Sequence, residues 1–324
     1  MAKHFNITGL CVPDKHYMVD REASQRLLYG WILYADGDSS FNAHYIDLYR
    51  NACQKRGMFI QLGSYHPAVF AAAAADKSRQ VYEMPDSKRP EFVINRTRDY
   101  RLAEFLEAQG IRVFNHSQVA RLGNNKAEAY RYMQRKGIPV MLTLYTAQTP
   151  PPWYPAVIKS CDGHGGTEVY LIRDEAGWKE WKQNLPVFGG RNCGRQYVVQ
   201  QAASDLGKDV RVYIVGNRIA AAVMRTSETD FRSNYCLGGS VELYELSGKE
   251  RMLVQRTIAG LSIGMAGIDF IFHEGEMVFN EIEDMAGARG LYSLTDYDIV
   301  DEYIHYIWEE LQYVRSSTDK TAHL

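Results

Sequence analysis

The chain lacks the features that announce several common chemistries. Its five cysteines, Cys11, Cys53, Cys161, Cys193 and Cys236, are scattered with no CxxC pair. That excludes a structural zinc framework and favours free thiols in a reducing compartment. None of the nine histidines stands in HxH or HExxH spacing, and no GxSxG elbow occurs, so neither a zinc protease nor a serine hydrolase has support. No apolar run approaches the roughly 18 residues of a membrane span, and the N-terminus carries no basic-then-apolar signal pattern. A soluble, cytoplasmic protein with no membrane partner is the expectation. Strong charge of one sign is missing too. Lys and Arg number 37 against 39 Asp and Glu, so no overall field draws the chain to nucleic acid.

What remains is an ordinary globular composition. A length of 324 residues with 46% hydrophobic and 23% charged side chains is enough for two or three compact lobes. Residues 1–28 show no clear period and read as an appended arm. From Gly30 the pattern becomes strand, loop, helix: Trp31–Ala35 is apolar, 36–40 is a polar turn, and an amphipathic stretch runs to Arg56. Met58–Leu62, Phe92–Asn95 and Ile111–Asn115 supply further strands, and Asp99–Gln109 a helix, which together argue for a small parallel α/β lobe. Ala71–Ala75 reads as helix-forming. Asn124–Lys136 reads as a helix. Ala156–Lys159 and Val169–Ile172 read as a hairpin across a glycine-rich turn, and another helix and strand lead to Tyr197–Gln201. The rest alternates like antiparallel sheet at 210–215, 218–224, 268–272 and 278–282, before a final helix, Ile299–Tyr313. The expected division is 1–28, 29–121, 122–203 and 204–324.

Several motifs carry chemistry, each with a plainer alternative. Gly163, Gly165 and Gly166 flank His164 in a loop whose backbone N–H groups could approach anionic oxygens, although such a loop is often only a tight turn. It is neither a Walker A sequence nor a GxGxxG opening a helix. Lys159 ends the strand before it. Lys126 opens a helix, where a cation opposes the helix dipole; either lysine could be simply solvated. Gln200, Gln201, Ala202 and Ala203 leave a strand and could offer backbone groups to a planar base. Asp209 and Arg211 share one strand face. Arg225 and Arg232 add guanidinium groups suited to bidentate contacts, or to surface ion pairs. Asp269 lies between apolar residues, and Glu281 and Glu283 fall on one strand face about 7 Å apart. Carboxylates in apolar strands are seldom buried without a partner, so a cation between them is the favoured reading, and oxygen-only ligands suit magnesium or manganese.

Taken in order, these residues resemble an ATP-grasp ligase, and within that superfamily the RimK-like group. The resemblance runs from about Trp31 to Tyr313. Its most specific part is Asp230-Phe231-Arg232-Ser233-Asn234 with Gly238-Gly239 close behind. It implies a mixed α/β architecture, with a small parallel N-terminal lobe and two antiparallel-sheet lobes sandwiching ATP. It implies that Lys126, Lys159, Gly163, His164, Gly165, Gly166, Gln200, Gln201, Ala202, Ala203 and Asp209 bind ATP, and that Asp269, Glu281 and Glu283 bind magnesium or manganese. Arg232, Arg225 and Arg211 are implied in catalysis, and Arg96, Arg98, Ser233, Asn234, Gly238 and Gly239 on the substrate side. The chain departs from the family at Glu283, where an asparagine is usual, and at Gln201, where a glutamate is usual. The implied activity joins a small-molecule or peptide carboxylate to an amine through an acylphosphate, releasing ADP and phosphate. A kinase on the same scaffold and a nucleotide-binding regulatory protein stay open as alternatives, as does a homodimer.

Overall fold

The computed structural model describes residues 4–7, 10–13, 27–66, 89–166, 168–185, 187–188, 191–192, 196–233 and 239–321. It divides into two compact units. The first joins Met1–Ala120 to Ser262–Met265 and Asp298–Leu324; the second comprises Arg121–Leu261 and Ala266–Tyr297.

The first unit is built on a six-stranded sheet in the order β1-β2-β4-β3-β5-β6. Its strands are β1 (His4–Ile7), β2 (Leu10–Pro13), β3 (Leu28–Ala35), β4 (Met58–Tyr65), β5 (Phe92–Arg96) and β6 (Arg112–Phe114). β3 pairs in parallel with β4 and β5, and β5 with β6. The reason is in the sequence: Trp31, Ile32, Leu33 and Tyr34 are all buried, so both sheet faces are covered, as parallel strands require. Helices α1 (Asp38–Phe41), α2 (Ala43–Gln54), α3 (Tyr100–Ala108) and α4 (Ser117–Gly123) follow in chain order. Leu102, Ala103 and Leu106 of α3 pack on Trp31, Leu33 and Val93 of the sheet. Asp99 caps α3 by accepting from the Arg101 N–H.

The sequence reading differs from this unit in three places. The segment expected to be an appended arm contributes a hairpin, and β2 extends the sheet antiparallel to β4 through Leu10↔Tyr65 and Cys11↔Ser64. Two four-residue strands are too short to show a period. The polar turn expected over 36–40 is helical from Asp38, where α1 begins, and the helix expected after it starts at Ala43 as α2. The chain's last helix, Ile299–Thr321, runs past the expected Tyr313 and packs on α2, with Tyr303 against Tyr49 and Asp301 paired to Arg56 at 2.7 Å. The alanine run 71–75 lies outside the described residues.

The second unit opens with α5 (Lys126–Arg135), capped by Asn125 accepting from the Glu128 N–H. Its four-stranded sheet runs β7-β12-β8-β9, from β7 (Thr143–Leu144), β8 (Ala156–Ser160), β9 (Val169–Ile172) and β12 (Tyr197–Gln201). β8 and β9 form the expected hairpin, with Lys159↔Val169 the last pair before the glycine loop. The helix α6 (Glu175–Gln183) sets Trp178 and Trp181 on Ile158, Ile172 and Val199. A separate small hairpin joins β10 (Val187–Phe188) to β11 (Arg191–Asn192). The five-stranded sheet runs β15-β14-β13-β16-β17, from β13 (Asp205–Val215), β14 (Arg218–Thr226), β15 (Ser240–Leu243), β16 (Met265–His273) and β17 (Glu276–Glu283). The sequence reading passed over β15 and over α7 (Gly248–Ile258), although Ser247 and Glu250 form a capping box at the helix start. The short helix α8 (Arg289–Tyr292) follows, and Ile299–Thr321 is α9. No helix among the described residues is long and apolar enough to cross a membrane.

Candidate active site

An open cleft of about 880 Å³, counted out to its mouth and including open solvent, lies within the second unit. Its walls come from the end of β8, the glycine loop, the exit of β12, the start of β13, the segment Phe231–Ser233 and β17.

Two lysines stand on one side. Lys126, the first residue of α5, donates from Nζ to the carbonyl of Gly163 at 2.6 Å and lies 3.4 Å from Glu281 Oε2. Lys159 is buried and donates to Asn280 Oδ1 at 2.7 Å and to the Tyr130 hydroxyl at 3.2 Å. Burial pushes the Lys159 ammonium down to about 8; Glu281 works against that shift and Lys126 adds to it. A buried ammonium held by neutral acceptors keeps its charge for an incoming anion.

Beside them lies a closed lattice of ions. Arg211 donates from Nε and Nη2 to the two oxygens of Asp269, both at 2.7 Å. Arg225 donates to both oxygens of Asp209 at 2.6 Å and, through Nη2, to Asp269 Oδ2 at 2.7 Å. Asp269 is 0% exposed. Burial alone would raise its carboxyl, but Arg211 and Arg225 outweigh it and hold it at about 2. The lattice forms because Asp209 and Arg225 are direct partners across β13 and β14, while Asp269 comes from β16 on the other side of β13.

The glycine loop is tethered at both ends. Lys126 takes the Gly163 carbonyl, and Arg232 Nη1 donates to the Gly166 carbonyl at 2.7 Å. Gly165 and Gly166 have φ of 64° and 75°, a conformation that favours glycine. Arg232 also forks onto Asp230, with Nη2–Oδ2 at 2.6 Å. This segment is docked by Gly207, whose N–H donates to the Phe231 carbonyl at 2.8 Å and whose own carbonyl accepts from the Ser227 N–H. A Cβ at Gly207 would lie 2.5 Å from the Ser227 carbonyl oxygen, so only glycine permits the approach. Ser233 hydrogen-bonds Asp209.

At the cleft's other end Gln200, Gln201 and Ala203 line the wall. The Gln201 and Ala202 N–H groups are taken by the carbonyls of Leu142 and Pro155. The Ala203 N–H makes no backbone hydrogen bond among the described residues, which leaves it available to the edge of a planar base.

The expected site residues therefore separate into groups. Lys126, Lys159, Gly163, Gly165, Gly166, Gln200, Gln201, Ala203, Asp209, Arg232, Ser233 and Glu281 all line one cleft. His164 and Ala202 belong to the same segments without lining it, and Gly239 is buried. Asn234 and Gly238 lie outside the described residues. Arg96 is in the first unit, buried with its guanidinium 5.4 to 5.9 Å from the ring centres of Tyr34, Tyr45 and Tyr49. Arg98 is exposed and 3.7 Å from Asp38.

The carboxylate triad needs the most revision. Asp269 and Glu281 are direct cross-strand partners, and Glu283 reaches to 3.8 Å from Arg211. Yet no group of three His, Cys, Asp or Glu among the described residues is arranged to hold a metal ion. Asp269 uses both oxygens on arginines. Glu281 and Glu283, partly exposed oxygen donors, fit a hard divalent cation; Asp269 fits as a third ligand only on releasing a guanidinium. Residues that sequence reading missed are Asn280, Tyr130 and Gly207. Asn280, a polar residue beside Glu281 in an apolar strand, was the visible signal.

Two antiparallel sheets around such a cleft, in a chain that also carries a largely parallel α/β sheet, are the elements of the ATP-grasp class of fold. Consistent with that, the structure superposes on D-alanyl-alanine synthetase A of Vibrio cholerae with a TM-score of 0.63, covering 89% of this chain and 98% of that one at 15% identity. Residues 150–307 match the model of the RimK-like ATP-grasp domain. An uncharacterized MG011 homolog of Mycoplasma pneumoniae is 33% identical over 211 residues, 63% of this chain and 70% of that one. A probable alpha-L-glutamate ligase of Haemophilus ducreyi is 25% identical over 231 residues, 68% of this chain and 74% of that one. The chain belongs to the RimK-like ATP-grasp family.

Proposed function

We propose that the cleft forms an amide bond between a carboxylate and an amine at the expense of ATP. The observation that carries this reading is the meeting, in one cleft, of two lysines, a tethered glycine loop, the strand exit at Gln200, Gln201 and Ala203, and the Arg232 segment. The adenine lies along Gln200–Ala203, and Lys126 and Lys159 compensate the phosphates. A carboxylate oxygen attacks the γ-phosphorus and ADP leaves. The amine nitrogen then attacks the carbonyl carbon of the acylphosphate, the C–O bond to phosphorus breaks, inorganic phosphate departs, and the nitrogen loses its proton. Arg232 steadies the acylphosphate and the negative oxygen that develops on it. Because the same side chain holds the Gly166 carbonyl, closure of the loop and capture of the acylphosphate are linked, and water is excluded while the intermediate exists. Glu281 and Glu283, backed by Asp269, would hold magnesium, which supplies charge compensation at the phosphate oxygens.

Relatives named as probable alpha-L-glutamate ligases make glutamate the first amine to try. The test is mass spectrometry after incubating the protein with ATP, magnesium, amino acids and a pool of carboxylates and peptides. A new amide formed together with ADP and phosphate supports the reading. A phosphorylated product with no amide, or ATP binding without ADP, overturns it.

A further inference from the structure

We propose that Asn280 is the positioning residue for Lys159, turned onto the cleft side of its strand by a β-bulge and orienting the ammonium without cancelling its charge. The inference rests on the reading of Lys159 as a phosphate cation. Along β16 and β17, Asp269 pairs with Glu281 but the next residue, Phe270, pairs with Phe279, so Asn280 is the extra residue of a bulge. In an unbroken strand neighbouring side chains point to opposite faces, and Asn280 would leave the face that carries Glu281. The bulge re-aims it, as bulges beside active sites do, and both residues line the cleft.

Side-chain chemistry explains why an amide stands there. Asn280 Oδ1 accepts from Lys159 Nζ at 2.7 Å, and the second acceptor is the Tyr130 hydroxyl, which burial keeps neutral. Glu281, the carboxylate next along the strand, is placed 3.4 Å from Lys126 instead. An aspartate at position 280 would keep the geometry but neutralise the charge meant for phosphate. An alanine would leave a buried ammonium short of an acceptor and free to turn away.

The experiment is calorimetric titration of ATP with magnesium into the full chain carrying Asn280→Ala or Asn280→Asp, each made alone and together with Lys159→Met. With Lys159 present, Asn280→Ala is expected to weaken ATP binding roughly tenfold, the value of a hydrogen bond to a charged group, and to raise KM for ATP more than it lowers kcat. In the Lys159→Met background the same substitution is expected to change affinity less than about twofold, since residues acting through one group are not additive. Asn280→Asp, nearly the same size, is expected to weaken binding although it retains an acceptor, and it carries the test if the alanine variant fails to fold. Equal losses in both backgrounds, or no loss in either, overturn the role of Asn280 while leaving Lys159 as a phosphate cation. ATP affinity unchanged in Lys159→Met alone overturns that underlying reading, and the inference with it.

Discussion

Two charge clusters of the second unit, the cleft's lysines and an arginine lattice that reaches the cleft only through Asp209, handle charge in opposite ways. In the arginine lattice, Arg211 and Arg225 meet Asp209 and Asp269, two positive groups against two negative ones, with bonds of 2.6 to 2.7 Å and Asp269 wholly buried. In the lysine half, Lys159 is held by an amide and a phenol, and Lys126 by a carbonyl with one carboxylate 3.4 Å away. In the lattice each carboxylate is matched by a guanidinium, and Arg211 also has Glu283 3.8 Å away, so its positive charge is compensated from within. The lysine half keeps a surplus of positive charge. The comparison teaches that a cation's partner, more than its presence, marks where an anion will bind.

The sharpest way to break the comparison is to remove one member of the lattice. Arg225→Met leaves Asp209 without its bidentate partner and Asp269 with one arginine, and is expected to destabilise the fold by about 3–5 kcal/mol, as loss of one partner of a buried ion pair does. Urea unfolding measures it. Next comes Arg232→Ala, expected to lower kcat by about 10²–10³ as loss of an oxyanion-stabilising donor does. Its ion pair with Asp230 is partly exposed, so stability should fall by less than about 1 kcal/mol; steady-state kinetics and a thermal melt separate the two effects.

Lys159→Met should invert the lattice result. Affinity for ATP is expected to fall about 10- to 100-fold, the range of a charged hydrogen bond, while stability is kept or rises, because a buried ammonium with neutral acceptors disfavours the folded state. A melt and an ATP titration on one sample check both. The smallest effect is in pH. The folded value of Lys159 lies near 8, below the ordinary lysine value of 10.5. The ammonium is therefore complete below pH 8 and is lost as pH rises through 8, so ATP binding should weaken above pH 8 and be accompanied by proton uptake there. The same shift makes the folded state bind fewer protons than the unfolded chain between about 8 and 10.5, so this group's contribution to stability improves with rising pH over that window. Titrations in buffers of different ionisation enthalpy show the proton uptake.

Much of this was legible in the chain. Alternating strands and helices, the hairpin around the glycine loop, and Lys159 near the end of its strand are local patterns, and these elements are present, although β15 and α7 were passed over and the last helix runs on to Thr321. The partners of the charged groups were not legible, because they are remote in sequence: Arg211 and Asp269 are 58 residues apart, Arg225 and Asp269 are 44 apart. Asp269 looked like a metal ligand because an unpartnered buried carboxylate needs a cation, and the cations proved to be two arginines. Asn280 stands out as a polar residue in an apolar strand, but the period-two rule assigns it to the face away from Glu281, and the bulge that turns it inward leaves no mark in composition. The hairpin of residues 4–13 was hidden by the shortness of its strands.

The cleft is proposed to activate a carboxylate as an acylphosphate, with Arg232 holding it. Turnover with a carboxylate substrate labelled with oxygen-18 tests it most directly, read as the isotope content of the phosphate released. Attack of a carboxylate oxygen on phosphorus, followed by amine displacement, must leave one labelled oxygen in each phosphate, and that transfer should fall with amide formation in Arg232→Ala. Amide formed with unlabelled phosphate would contradict the claim.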